Sequence, residues 1–332
     1  VTARSEQPVP TQRARVAATA VAVGIGIAVA FQARINGELG ERIDDGVIAA
    51  AVSNLGGLAL LVALAAARRQ VRQGLGRVLA AVRDRTLARY QLLGGLCGAF
   101  LLVCQGLTVA TIGVVVFTVA LVAGQTASSL LVDRAGLGPG GPQPVSPRRV
   151  GGAVLALVAV GVAVADRIGA PLALWPALLP VLAGVGAAWQ QAANGLVAMV
   201  ARRDGPARDG MLPAALVNFG VGTTAVIVAG AVEVMLRGPP RALPGVAWLY
   251  LGGPLGVLFV GVAAAIVPIT GVLLLGLGAV AGQLLGALLL DLFVPTRGNP
   301  LTATTLIGTA LTLVAVTVIA LPSWHRVGQR RA

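Results

Sequence analysis

Two pairs of amides interrupt a chain that is 57% hydrophobic and 11% charged. Gln32 and Asn36 lie four residues apart, and Gln190 and Asn194 repeat the spacing. On a helix such residues share one face, about one turn apart. Two further amides, Gln125 and Gln283, end the matching triplets Ala123-Gly124-Gln125 and Ala281-Gly282-Gln283. A carboxamide both donates and accepts hydrogen bonds, so these six side chains are candidate ligands for a polar solute. In an apolar surrounding they are equally suited to bonding one helix to the next. Both roles need the amides to face inward, because a lipid-facing amide loses its water partners without replacement. Asp133 and Asp291 close their apolar stretches. A carboxylate there could carry protons between the two sides, or be an end residue that is solvated or, for Asp133, paired with Arg134. At a helix C-terminus a carboxylate opposes the macrodipole, which calls for a partner.

Other chemistries lack their residues. The apolar stretches contain no cluster of His, Cys and carboxylates, and His325 is the sole histidine, so no metal site is expected. Cys97 and Cys104 are seven apart on one expected helix, roughly 10 Å along its axis, too far for a disulfide. An intramembrane enzyme would need a nucleophile or an acid–base pair, and none is in place, so no enzyme is expected. No nucleotide-binding loop or other cofactor motif is present. The formal charge of +13 comes from 25 basic residues, all of them Arg. Most fall in the breaks between apolar runs, as charges that orient helices in a bilayer do, so no nucleic-acid partner is expected.

These residues need helices to carry them. Ten spans are expected, at roughly 16–33, 46–67, 90–110, 112–132, 150–165, 172–192, 211–235, 246–267, 269–292 and 303–322, near the ~20 residues that a bilayer requires. The stretches 92–132 and 245–292 are too long for one crossing and must be helical hairpins. Their turns are expected at Ala110-Thr111-Ile112-Gly113 and Pro268-Ile269-Thr270-Gly271. The first stretch ends in Phe31-Gln32-Ala33-Arg34-Ile35-Asn36 rather than a small-residue cleavage site, so it is read as a span and not a signal peptide. Between spans 2 and 3, Val71, Leu75, Val78, Leu79 and Val82 form one stripe among Arg68, Arg69, Arg72, Arg77, Arg83 and Arg85. That pattern is an amphipathic surface helix, serving as a topology anchor or a lipid sensor.

The order of polar residues is written twice. Gly94-Gly95, Gly98, Gly113, Gln125 and Asp133 recur as Gly252-Gly253, Gly256, Gly271, Gln283 and Asp291, all offset by 158. Gln32 and Asn36 recur as Gln190 and Asn194 at the same offset, and Gly57 recurs as Gly222 at an offset of 165. Each copy holds five spans. Five is odd, so the copies enter the membrane from opposite sides, as in many secondary transporters. The fold expected is an all-α membrane protein with ten transmembrane helices as two inverted five-helix repeats. Residues 16–166 and 167–322 are the repeats, and 1–15 and 323–332 are the tails.

The pattern resembles the drug/metabolite transporter superfamily, and within it the YdcZ-type inner-membrane proteins. The resemblance rests on Gln32…Asn36, Ser53-Asn54-Leu55-Gly56-Gly57, Gly94-Gly95, Ala123-Gly124-Gln125 and Asp133. In the second half it rests on Gln190…Asn194, Asn218…Gly222, Gly252-Gly253, Ala281-Gly282-Gln283 and Asp291. It implies a secondary transporter of a small metabolite, working by alternating access in the inner membrane. The alternatives are a lipid or amphiphile translocase and a non-transporting scaffold or helper subunit. The partners implied are a small-molecule solute and membrane lipid, and a homodimer is compatible with them. The small multidrug-efflux branch carries a Glu deep in its first helix. Residues 16–31 and 172–189 contain no acid, so neutral or anionic solutes suit the amides better than cations.

With both termini cytoplasmic, the inner loops and tails carry 19 Arg and the outer loops 6, the bias that sets orientation. A reporter fused after Arg331 should therefore read as cytoplasmic, and one inserted in the 34–45 segment as external. The opposite result for either would break the odd span count on which inversion depends.

Overall fold

The computed structural model describes residues 11–163, 174–293 and 303–320. Among them the order is α1 (Gln12–Ile43), α2 (Gly46–Ala67), α3 (Arg69–Arg83), α4 (Gly94–Arg134), α5 (Pro147–Ala163), α6 (Leu174–Arg202), α7 (Arg208–Arg237), α8 (Gly252–Phe293) and α9 (Ala303–Ala320). Short 3₁₀ turns, Arg89–Leu92 and Ala247–Tyr250, lead into α4 and α8. By length and hydropathy, four described stretches suit a membrane crossing: Gln12–Gly40, Gly46–Ala67, Arg208–Arg237 and Ala247–Gly286.

The two amide-bearing helices run further than expected. α1 continues about ten residues past residue 33, and α6 does the same past residue 192. No Gly-Pro break stands at either place, and polar residues beyond an apolar run can stay helical once backbone bonds are propagating. Gln32, Asn36, Gln190 and Asn194 therefore sit in helix interiors rather than at helix ends. α1 stops where Asp44 adopts a left-handed conformation. Asp45 then caps α2, its Oδ1 accepting from the amides of Val47 and Ile48, both at 2.9 Å.

α4 and α8 are folded back on themselves. A straight helix of 42 residues would be about 63 Å long. Yet Gly256 packs on Gln32, while Gly286, thirty residues later, packs on Ala30. The first limb of α8 descends α1 and the second climbs it again. The turn is Pro268–Gly271, where Gly271 has φ 73°, a backbone region that a side chain disfavours. α4 treats α6 in the same way. Cys97 lies against Gly186, and Ser128 donates to the carbonyl of Val185 at 3.3 Å. Leu101, Cys104 and Leu121 share one cluster with Leu179 and Ala183. This reversal falls between Cys104 and Leu121 and so brackets the turn expected at 110–113, whose side chains lie outside the described residues.

The halves meet through glycines, and equivalent positions make equivalent contacts. A Cβ on Gly124 would lie 2.0 Å from the carbonyl oxygen of Val181, and one on Gly282 would lie 1.9 Å from that of Val23. A Cβ on Gly95 would fall 2.2 Å from the oxygen of Asn218, and one on Gly253 would fall 2.3 Å from that of Ser53. In each case the contact in one half is its counterpart in the other, with the partners exchanged. α2 and α7 run antiparallel: Ile48 meets Gly230, Gly57 meets Phe219, and Leu61 clusters with Ala215. Small residues that bring backbones this close are the usual means of joining helices where lipid removes the hydrophobic driving force.

Gly124→Leu should accordingly lower stability by on the order of 3 kcal/mol through overpacking against a backbone oxygen. Gly56→Ala, where a Cβ meets nothing within 4 Å, should shift it by no more than about 1 kcal/mol, upward, from helix propensity. Thermal unfolding in detergent of the two variants checks the contrast.

Candidate functional site

The long reach of α1 carries Gln32 and Asn36 to the start of α8. Gln32 Nε2 donates to the carbonyl oxygen of Gly252 at 2.9 Å. Asn36, one turn on, faces the same glycine: a Cβ on Gly252 would lie 2.1 Å from Asn36 Oδ1 and 2.7 Å from Ser53 Oγ. Gly252 and Gly256 are thus glycines so that two amides can lie against the backbone. Asn36 Oδ1 is buried and has no hydrogen-bond partner among the described residues.

The second pair sits in the equivalent place but is bonded differently. Gln190 Nε2 donates to Asn218 Oδ1 at 3.4 Å, and Asn218 Nδ2 donates to Asn194 Oδ1 at 3.0 Å. Gly94 and Gly98 make room for Asn194 and Gln190, as Gly252 and Gly256 do for Asn36 and Gln32. Asn218 was not among the site residues expected. Its counterpart at the 165 offset is Ser53, whose shorter side chain breaks the chemical match that would have exposed it. The difference also explains the orphan oxygen, since Asn194 receives a bond from Asn218 and Ser53 supplies none to Asn36.

Phe219 follows Asn218 on α7 and packs beside the first amide group. It is 5% exposed. A Cβ on Gly57 would be 2.4 Å from its Cε1, and one on Gly256 would be 3.1 Å from its Cζ. Its counterpart in the first half is Asn54, so the ring fills the junction from one side only. Gln125 is buried and faces Gly276 of α8, and Gln283 is half-buried. The six expected amides are therefore spread along the contact between the halves rather than gathered at one point. A depression of about 590 Å³ is lined by Arg134, Pro142, Gln143, Pro144 and Val145. Another of about 410 Å³ lies among Leu96, Val221, Thr224, Ala225 and Val228. None of the six amides lines either.

Asp133 has found its partners, and Arg134 is not one of them. Its carboxylate accepts from the amides of Val272 at 2.9 Å and Leu273 at 3.2 Å, and pairs with Arg149 of α5. The two amides belong to the first turn after Gly271, so Asp133 caps the second limb of α8 from the other half of the chain. A Cβ on Gly271 would lie 2.8 Å from Asp133 Oδ2, a second reason for glycine there. Arg134 is exposed and points elsewhere. The side chain of Asp291 lies outside the described residues.

Long apolar helices, two of them folded back on themselves, and amides held between halves define a multi-pass helical membrane protein. A family model described as "Putative inner membrane exporter, YdcZ" matches residues 17–163 and 175–318. The chain belongs to the YdcZ family, and is a membrane transport protein of that type, matched once by each half. A solved structure titled only as the crystal structure of a protein aligns over 93% of this chain and 96% of its own, at 20% identity and a TM-score of 0.54. That likeness extends the fold over nearly the whole chain. No curated protein matches the sequence.

Breaking the Asp133 junction on one side should be costly. Asp133→Leu leaves Arg149 and two amides unpaired and should cost about 3–5 kcal/mol, the range for a broken buried pair. Asp133→Leu combined with Arg149→Leu should recover part of that loss. Equal stabilities for Asp133→Leu and the double variant, measured by thermal unfolding, would show that Arg149 left without its carboxylate costs nothing.

Proposed function

We propose that the chain is a secondary exporter of a small neutral or anionic metabolite, working by alternating access between two inverted five-helix repeats, 16–166 and 167–322. The observation that carries this reading is the exchange of equivalent contacts between antiparallel partners. Helices that run antiparallel and occupy equivalent places are related by a two-fold axis perpendicular to them. In a bilayer that axis lies in the membrane plane, with Gly57 and Gly222 beside it. Each half then closes one end of the pathway, and exchanging the two local packings opens the other end.

On this reading the solute binds at the contact between halves, to Gln32, Asn36, Gln190 and Asn194, with Gln125 and Gln283 alongside. The unequal bonding of the two amide pairs fits such a role, because Asn36 Oδ1 wants a donor that none of the described residues supplies. Asp133 latches one end of the pathway through Val272 and Leu273. Asp291 is its counterpart in the sequence, at an offset of 158. Release of these carboxylates is where a proton would couple to the cycle. Both termini are cytoplasmic and the protein sits in the inner membrane.

The test is a thermal-shift screen of the purified protein against metabolites, followed by transport in vesicles of any that bind. A solute at a hundred times its Kd should raise stability by about 2.7 kcal/mol. Asn194→Leu should weaken its binding by about tenfold or more, ~1.4 kcal/mol. If Asn194→Leu and Asn36→Leu lose stability yet transport normally per folded molecule, the amides only join helices.

A further inference from the structure

We propose that α3 is a docking surface for anionic phospholipid headgroups, present at one end of the bundle only. One face of the helix is committed to the protein. Val71, Gly74 and Val78 are buried, and a Cβ on Gly74 would meet Pro213 Cγ at 2.7 Å. Two of its arginines are spent on helix ends. Arg72 Nη1 donates to the carbonyl oxygen of Ala65 at 2.9 Å, and Arg77 Nε donates to that of Ala201 at 2.7 Å. Both acceptors lie in the last turn or so of their helices, α2 and α6, where carbonyls lack intrahelical partners. These bonds lay α3 across the ends of α2, α6 and α7, at the height where membrane-crossing helices leave the apolar layer.

The opposite face is free. Arg69, Gln73, Gly76, Leu79 and Arg83 are exposed on it, with Arg68 and Arg85 at its two ends. Among the described residues, none of Arg68, Arg69, Arg83 and Arg85 forms an ion pair. Leu79 is 68% exposed, and on the helix it falls between Arg72 and Arg83. An apolar side chain ringed by guanidinium groups suits the boundary where phosphates overlie acyl chains: Leu79 enters the boundary, and the arginines take phosphate oxygens in pairs. Only Asp84 opposes them within residues 68–89. The corresponding stretch of the second half, residues 238–245, forms no helix, so the two membrane faces are not treated alike. Through Arg77 and Gly74 the surface is tied to the corner between α6 and α7, in the half that does not contain it.

The experiment uses the full chain in nanodiscs of phosphatidylglycerol or of phosphatidylcholine, with amide hydrogen exchange over residues 70–83 as the readout. Exchange should be about tenfold slower in phosphatidylglycerol at low salt, and the difference should fade as salt screens the charges. Arg69→Gln/Arg83→Gln/Arg85→Gln should abolish the difference while α2 and α6 exchange as before, because the buried face is untouched. Equal exchange in the two lipids would overturn the proposal, as would a difference that survives in the triple variant. Protection restored in phosphatidylcholine by inorganic phosphate or by poly-glutamate would also overturn it, pointing instead to a small anion or to an acidic polypeptide.

Discussion

Backbone must approach backbone without a side chain between, and nearly everything else in this protein follows from that. Gly124 and Gly184 on one side, and Gly26 and Gly282 on the other, admit a neighbouring carbonyl to about 2 Å from where a Cβ would stand. Close approach lets both limbs of α4 lie along α6, and both limbs of α8 along α1. In lipid there is no apolar gain from helix association, so dispersion between tightly matched surfaces has to supply it. The same closeness decides where amides can go. Glycine at positions 94, 98, 252 and 256 leaves space for Asn194, Gln190, Asn36 and Gln32.

Polar groups inside such a bundle are expensive unless paired, and the pairing here is uneven. One amide group is closed into a chain from Gln190 through Asn218 to Asn194. The other anchors Gln32 on a backbone carbonyl and leaves Asn36 Oδ1 orphaned. The buried Gln191 Oε1 and Thr223 Oγ1 are also without partners among the described residues. Two halves of identical chemistry would sit in equal states. The replacement of Ser53 by Asn218 and of Asn54 by Phe219 at equivalent positions removes that equality.

Asp133 joins electrostatics to the hairpin turn. Gly271 in a left-handed conformation ends one limb and starts the next, and the new limb opens with unsatisfied amides. The carboxylate that satisfies them comes from α4, and Arg149 of α5 balances its charge. No Arg stands in α9, the second-half counterpart of α5, so the Asp133–Arg149 pair has no counterpart from that helix. α3 adds to the inequality, since it braces the α6–α7 corner at a single end.

Much of this was legible in the sequence because it is local or periodic. Apolar runs of known length, Arg-rich breaks and the stripe of α3 report helices directly. The hairpin at Pro268–Gly271 could be read because its run exceeds any single crossing. The recurring Gln, Asn, Gly and Asp positions announced two copies, and the model of the family matches each. Helix ends were less legible: α1 and α6 continue through their amide motifs, because helix propagation does not stop at polarity. Pairing across the chain was not legible at all. That Asp133 would meet Val272 and Arg149 rather than Arg134 depends on where a hairpin turn falls in space. That Asn218 would complete the second amide group, and Phe219 pack against Gly57 and Gly256, depends on how α7 crosses α2. Spacing along one helix fixes which residues share a face, but only packing between helices decides what that face meets.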